Sequence, residues 1–129
     1  MKTDSLFYEL FKIHPASLFE LAGVEADGEY VFESITLKST EKRMDGFFKR
    51  ADGKGYNGFL EVQGYPDKMI YWRLFREISG HYEQTKSGKP FVAIILFLDE
   101  KYDPKNCPLK TFTPPNRLIR LYSFPILFV

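Results

Sequence analysis

The sequence predicts a layered α/β or α+β domain, in which helices pack on a mixed β-sheet. Three stretches with an extended pattern precede the longest predicted helix, at Asp67–Gln84. An uninterrupted apolar run, Phe91–Leu98, follows that helix and has the length of a buried central strand. Because a helix connects the third strand to this run, the two strands are parallel if they share a sheet.

Length and composition limit the possible classes of protein. A chain of 129 residues with 44% hydrophobic residues is long enough for one domain with its own core, and disorder is not expected. The formal net charge of +1 does not indicate a nucleic-acid-binding protein, so any such surface has to be a local patch. The single cysteine, Cys107, excludes an intrachain disulfide. No apolar run approaches the roughly 18 residues of a membrane span, and we expect a cytoplasmic protein without membrane contact.

Two helices are expected at the beginning of the chain, at Ser5–Ile13 and Pro15–Ala22. His14 separates them, because a residue before proline avoids the helical conformation. Gly23 is a suitable residue to end the second helix. Apolar residues of the first helix recur at helical spacing and predict the side that packs on the core: Leu6, Phe7, Leu10 and Phe11.

Three strands are expected next, at Tyr30–Leu37, Arg43–Lys49 and Gly58–Tyr65. Ser39–Lys42 provides a turn between the first two strands. Residues 49–58 are rich in glycine, aspartate and asparagine, which is typical of a turn. The second and third strands are therefore predicted to form a hairpin.

This hairpin carries the candidate site. Leu60 and Val62 alternate with Glu61 and Gln63, so the two polar side chains project from the same side of a strand. The hairpin can bring Asp45 beside Glu61, and two neighbouring carboxylates favour a hard divalent cation such as Mg²⁺. A metal-bound water can then attack a phosphate. Gln63 can orient a water or a phosphate, but it cannot act as a general base or carry positive charge.

Each candidate residue also has a simpler interpretation. Asp45 fits the exposed side of an edge strand or an Asp-Gly turn, and Glu61 and Gln63 fit the solvent side of a half-buried strand. Arg73 and Arg76 of the long helix are suited to phosphate contact, but they also fit the solvated side of an amphipathic helix. A site is indicated by the ordered combination of these residues along the chain.

The chain changes character after Asp99. Lys101–Pro115 is proline-rich and polar and predicts a loop, and Arg117–Tyr122 can form a last strand. The final segment, Ser123–Val129, is very apolar, so it is expected either to tuck into the domain or to mark a chain that stops early. We divide the sequence into a core at residues 1–100 and a C-terminal part at residues 101–129.

Four short segments share their order and spacing with one known family: Lys2–Tyr8, Arg43–Gly46, Phe59–Gln63 and Tyr71–Phe75. On these segments, within about residues 1–98, the chain resembles the Rpn family of recombination-promoting nucleases, also described as transposases, in the PD-(D/E)XK nuclease superfamily. The resemblance implies a restriction-endonuclease-like αβββαβ core. It also implies endonucleolytic hydrolysis of DNA phosphodiester bonds with Mg²⁺, for which Mn²⁺ can substitute, and homodimers are common in the superfamily.

The resemblance implies roles for individual acidic residues. Asp45 matches the aspartate of the family motif, and Glu61 matches its second acidic position, so both are implied as catalytic Mg²⁺ ligands. A further ligand often comes from the first helical region of such nucleases. Glu9 and Glu20 are both candidates for that ligand.

Two departures from the family pattern affect what the resemblance implies. Gln63 stands where many superfamily members have lysine, so Lys38 or Arg73 has to supply the positive charge from elsewhere. The segment Ser123–Val129 stands where similar family members continue. The alternative to an active nuclease is therefore a catalytically degenerate or truncated protein that binds nucleic acid or a protein partner.

Overall fold

A computed structural model describes residues 2–37, 42–108 and 114–122, with the backbone alone for residues 2–6, 34–37 and 42–45. The helices are α1 (Lys2–Ile13), α2 (Pro15–Ala22) and α3 (Ile70–Thr85). The strands are β1 (Tyr30–Leu37), β2 (Lys42–Arg50), β3 (Asn57–Gln63), β4 (Phe91–Phe97) and β5 (Arg117–Tyr122). A short 3₁₀ helix at Glu100–Tyr102 follows β4.

The five strands form one mixed sheet in the order β1-β2-β3-β4-β5. The first three strands are antiparallel neighbours, which includes the predicted hairpin of β2 and β3. The pairs β3–β4 and β4–β5 are parallel, and α3 forms the crossover between β3 and β4. The predicted mixed α/β architecture is therefore confirmed, and the C-terminal strand joins the same sheet.

Alternation along β3 divides the core into two layers. Leu60 and Val62 face α1 and α2, where they pack with Phe11, Leu18 and Phe19. Glu61 and Gln63 face α3, together with Phe59. Because the sheet is covered on both sides, the polar residues of β3 lie beneath a helix instead of on an open surface. The core residues on the α3 side are Phe47, Phe59, Ile70, Tyr71, Leu74, Ile78, Ala93, Ile95 and Phe97.

The third helix begins three residues later than predicted, at Ile70 instead of Asp67. The Asp67 carboxylate accepts a hydrogen bond from the Met69 amide at 2.9 Å, and the Asp67 carbonyl accepts one from the Ile70 amide at 3.3 Å. These contacts make a turn before the helix, which explains the shift. The turn positions the first helical residues above the end of β3.

Some predictions lie partly or wholly outside the described residues. Lys38 and the apolar segment Ser123–Val129 belong to this group. In the region predicted as a loop, the described residues include the 3₁₀ helix. Of the helices in the described ranges, none combines the length and apolarity needed to cross a bilayer.

Candidate active site

A cluster of polar side chains lies where the end of β3 meets the first turns of α3. Arg73 Nη2 is 2.7 Å from Glu61 Oε1, and Arg73 Nη1 is 2.9 Å from Asp67 Oδ2. Arg73 Nη2 also donates a longer hydrogen bond, of 3.3 Å, to Gln63 Oε1. We call these four residues, Glu61, Gln63, Asp67 and Arg73, the Glu61 cluster. One guanidinium thus connects a strand, a turn and a helix.

The charged groups of this cluster are partly shielded from solvent. The exposed fractions of the Glu61, Asp67 and Arg73 side chains are 19%, 21% and 23%. Burial by itself lowers the pKa of Arg73, but the charge of Glu61 and hydrogen bonds to Tyr65 and Glu61 outweigh this effect, so the pKa is raised. The guanidinium is therefore positively charged at neutral pH.

Gln63 is almost completely buried, with 1% of the residue exposed. Its Nε2 donates a hydrogen bond to the Tyr65 carbonyl, and its Oε1 accepts the bond from Arg73. In this geometry the carboxamide holds Arg73 in position. Direct contact of Gln63 with a water or a phosphate stays a prediction.

The backbone of Asp45 lies in β2, and its side chain is not among those that the structure describes. Phe47 pairs with Phe59 in the antiparallel ladder between β2 and β3. Among the described residues, the pairing of the two strands ends there, and the pairing of β2 with β1 shifts register between Met44 and Phe47. The position of Asp45 beside Glu61 stays a prediction.

Close packing of the two strands next to these positions requires a glycine. A β-carbon added at Gly46 would collide with the Leu60 carbonyl. One step further along β3, the Val62 amide donates a 3.1 Å hydrogen bond to the hydroxyl of Tyr8 from α1. A helix on the opposite side of the sheet therefore fixes the backbone between the two polar residues of β3.

The position of the third predicted metal ligand is less defined. Glu9 follows Tyr8 in α1 and is exposed, and Glu20 is exposed on α2. In the described parts of the chain, no three His, Cys, Asp or Glu side chains group as a metal site would require. The contributions of Glu9 and Glu20 stay predictions.

The residues predicted to contact nucleic acid differ in their surroundings. Arg73 contacts two carboxylates, so a phosphate has to share or displace these contacts. Arg76 is exposed on α3, three residues beyond Arg73, and lies close to the cluster on the helix surface. Lys38 lies outside the described residues.

A Mg²⁺ site at this end of β3 stays a prediction. This ion is usually held by one or two protein carboxylates, and it keeps several waters. Glu61 supplies one carboxylate, and a second acidic residue, Asp45, belongs to the neighbouring strand β2. The adjacent Arg73 can stabilise negative charge on a phosphate bound at such an ion.

The structure also contains a second polar cluster, which the sequence did not predict. Asp103 accepts hydrogen bonds from the Tyr71 hydroxyl at 2.8 Å, the Tyr122 hydroxyl at 2.6 Å and the Lys105 amide at 2.8 Å. Arg120 Nε donates to the Tyr71 hydroxyl at 2.9 Å. We call Asp103, Tyr71, Tyr122 and Arg120 the Asp103 cluster.

Sequence reasoning also missed Asp67, which it treated only as the start of a helix. An aspartate in the turn before a helix and an arginine one turn inside it are a local signal for such a pair. The contact of Tyr8 with β3 and the Asp103 cluster have no comparable local signal, because their members lie far apart in the sequence.

The comparisons with known proteins give a family but no activity. No curated protein and no solved structure matches the chain. A family model with the description "Protein of unknown function (DUF2887)" matches residues 3–123. That description names neither the Rpn family nor the PD-(D/E)XK superfamily. Since the match spans nearly the whole sequence, the chain belongs to the family described as protein of unknown function (DUF2887).

Proposed function

We propose that this protein is a Mg²⁺-dependent endonuclease that hydrolyses phosphodiester bonds in DNA. The proposal depends on one observation: at the end of β3 the Glu61 carboxylate lies 2.7 Å from the Arg73 guanidinium, on the strand next to the one that carries Asp45. Two acidic positions on neighbouring strands provide ligands for a cation. The fixed guanidinium beside them attracts a phosphate.

The roles of the residues follow from their chemistry. Asp45 and Glu61 hold the metal ion, which supplies, when bound, a Lewis acid and a source of hydroxide at neutral pH. Arg73 binds the phosphate and stabilises the negative charge that develops on it. Because Gln63 carries no charge, Arg73 supplies the cation that lysine provides in many related nucleases. Gln63 keeps the guanidinium in place through its 3.3 Å hydrogen bond.

Further parts of the proposal rest on the resemblance to Rpn nucleases. Glu9 is a third metal ligand, with Glu20 as the alternative. Arg76 and Lys38 contact DNA phosphates, and Mn²⁺ can replace Mg²⁺. The protein acts in the cytoplasm, in recombination or in the movement of a mobile element, and it can work as a homodimer.

Cleavage of supercoiled and linear DNA tests the proposal. The parent protein is expected to cut with Mg²⁺ and to stop when EDTA is added, and Asp45→Asn is expected to abolish cutting. Glu33→Gln is a matched control, because Glu33 is a partly exposed carboxylate of the neighbouring strand that pairs with Lys49 at 3.4 Å. If Asp45→Asn, folded as judged by circular dichroism, cuts as fast as the parent, the assignment is wrong.

A second candidate function is binding of DNA or of a protein partner without cleavage. It is favoured by the contacts of Arg73, which neutralise Glu61 and Asp67 without a metal ion. Calorimetric titration with Mg²⁺ or Mn²⁺ distinguishes the two functions. A protein that binds no metal ion and does not cut, but retains DNA in the presence of EDTA, supports the second one.

A further inference from the structure

Three large apolar side chains are exposed around the Glu61 cluster. The exposed fractions of Tyr65, Met69 and Trp72 are 48%, 58% and 53%. Tyr65 is hydrogen-bonded to Arg73 through its side chain, and the Met69 carbonyl accepts a 2.9 Å hydrogen bond from the Arg73 amide. Trp72 directly precedes Arg73 in α3. We call these three residues the apolar rim, because all three are exposed and each contacts Arg73 or adjoins it in sequence.

Trp72 of the apolar rim also lines an aromatic groove along α3. The groove has a volume of about 570 Å³, and its lining includes Trp72, Phe75, Tyr82, Phe91, Pro108 and Asn116. Trp72 and Tyr82 are ten helical residues apart, a distance of about 15 Å along the helix axis. At a rise of about 3.4 Å per nucleotide, this length accommodates roughly four stacked bases.

The charges beside the rim and the groove favour a polyanion. Between residues 68 and 86, all of which the structure describes, three cations are exposed against one acid, Glu83. Those cations are Lys68, Arg76 and Lys86. Arg76 lies four residues beyond Trp72, so the two side chains are neighbours on the helix surface. Glu61 and Asp67 repel a phosphate less strongly because both are paired with Arg73.

We propose that the apolar rim and the aromatic groove bind a single-stranded segment of nucleic acid. Tyr65 and Trp72 stack on bases, and Lys68 and Arg76 contact phosphates. In a duplex the base faces are stacked on one another, whereas an unpaired strand offers them to aromatic side chains. The inference rests on the proposed function, in which the substrate is a nucleic acid, and it narrows that substrate to a strand with unpaired bases.

Trp72 is the single tryptophan of the chain, so its fluorescence reports on this surface alone. Titration with a short single-stranded oligonucleotide in EDTA is expected to quench the emission without cleavage. The same sequence as a duplex is expected to bind at least about ten-fold more weakly, because its bases cannot stack on the rim. Equal affinity for the two forms would overturn the proposal.

Variants separate stacking from general apolar contact. Fluorescence anisotropy of a labelled single strand is expected to show about ten-fold weaker binding for Trp72→Ala and a smaller loss for Trp72→Phe, which keeps an aromatic ring. Leu21→Ala is the matched control, because Leu21 is 46% exposed on α2, across the sheet. It is expected to bind like the parent. Arg76→Ala is expected to weaken binding and to reduce its salt dependence.

Two results would assign the surface differently. Binding of Trp72→Ala within two-fold of the parent would overturn the proposal, and so would a Trp72→Ala variant that changes only the oligomeric state. Failure here is distinguishable from failure of the proposed function. A single strand that quenches Trp72 in EDTA but is not cut with Mg²⁺ keeps the binding surface and removes the endonuclease. Metal-dependent cutting without any change in Trp72 fluorescence keeps the endonuclease and removes the binding surface.

Discussion

The two polar clusters beside α3 both join an acidic residue to an arginine, but they differ in exposure and in bonding. In the Glu61 cluster, ionised groups contact each other directly, and about a fifth of each charged side chain is exposed. In the Asp103 cluster, the carboxylate is 7% exposed and two tyrosine hydroxyls lie against it. Arg120 donates to Tyr71 and lies over its ring, with its guanidinium carbon 5.3 Å from the ring centre.

Because of this difference, we expect the Asp103 cluster to contribute mainly to stability and the Glu61 cluster mainly to the proposed function. A buried carboxylate that accepts three hydrogen bonds stabilises the folded state, because removing it leaves buried donors without partners. Ion pairs with about a fifth of each side chain exposed lie between surface pairs, which contribute about 0–1 kcal/mol, and fully buried pairs. The Glu61 cluster is therefore expected to contribute less to stability than the Asp103 cluster, and under the proposed function its accessible charges bind a ligand.

The largest expected effect is on cleavage, from Glu61→Gln. Under the proposed function, loss of a group that holds the metal ion is expected to slow cutting by about 100- to 1000-fold or more, in the range found for removal of one catalytic stabilising group. The free energy of unfolding is expected to change by about 1 kcal/mol, because glutamine keeps an oxygen that accepts from Arg73. Initial cleavage rates and urea unfolding measure the two quantities. Unchanged cutting would contradict a role of Glu61 in cleavage. Unfolding of the variant would show that the Glu61 cluster is needed for stability, as the Asp103 cluster is.

Asp103→Ala is expected to have the opposite effects, with a loss of stability and an unchanged rate of cleavage. It leaves the hydroxyls of Tyr71 and Tyr122 without their acceptor, which should lower the free energy of unfolding by about 2–3 kcal/mol. Cleavage by the folded fraction should stay at the level of the parent. Asp103→Asn keeps one carbonyl oxygen as an acceptor, so its free energy of unfolding should fall by less than that of Asp103→Ala. Stability equal to that of the parent would show that water replaces the carboxylate.

Tyr122→Phe is expected to cost about 1 kcal/mol at neutral pH, the contribution of one hydrogen bond. Burial, followed by the hydrogen bond to Asp103, raises the pKa of Tyr122 from 10.0 to about 12. A raised pKa stabilises the fold below pH 10, and this contribution is lost as pH rises to about 12. The difference in unfolding free energy between parent and variant should therefore shrink across that window. A constant difference up to pH 12 would contradict this assignment.

The sequence predicted the elements and their order well, because both depend on local patterns. Gly-rich turn residues between the second and third strands indicated the hairpin, and the apolar run Phe91–Leu98 indicated the buried β4. The parallel pairing of β3 and β4 followed from the helix between them. Within the predicted site, the hairpin places Asp45 and Glu61 on neighbouring strands, and their direct juxtaposition stays a prediction.

Local sequence patterns do not predict contacts between residues that lie far apart in the sequence. Alternation along β3 showed that Glu61 and Gln63 share a side of the strand, but it could not show that α3 covers this side and buries Gln63. The Asp103 cluster draws residues from α3, the segment after β4, and β5. Hydrophobic periodicity does not reveal contacts between polar residues so far apart in sequence.

The smallest expected effect is that of Asp67→Asn, which removes one charge next to Arg73 and keeps the oxygen that accepts from the Met69 amide. We expect less than about 1 kcal/mol of lost stability and about ten-fold slower cleavage, as is typical when a residue that orients an active group is changed. Asp99→Asn is a matched control, because Asp99 accepts from the Lys101 amide at the same 2.9 Å and carries an exposed ion pair of 3.8 Å. Equal cleavage by the two variants would show that Asp67 belongs to the turn alone, whereas slower cleavage by Asp67→Asn only would place it among the residues that position Arg73.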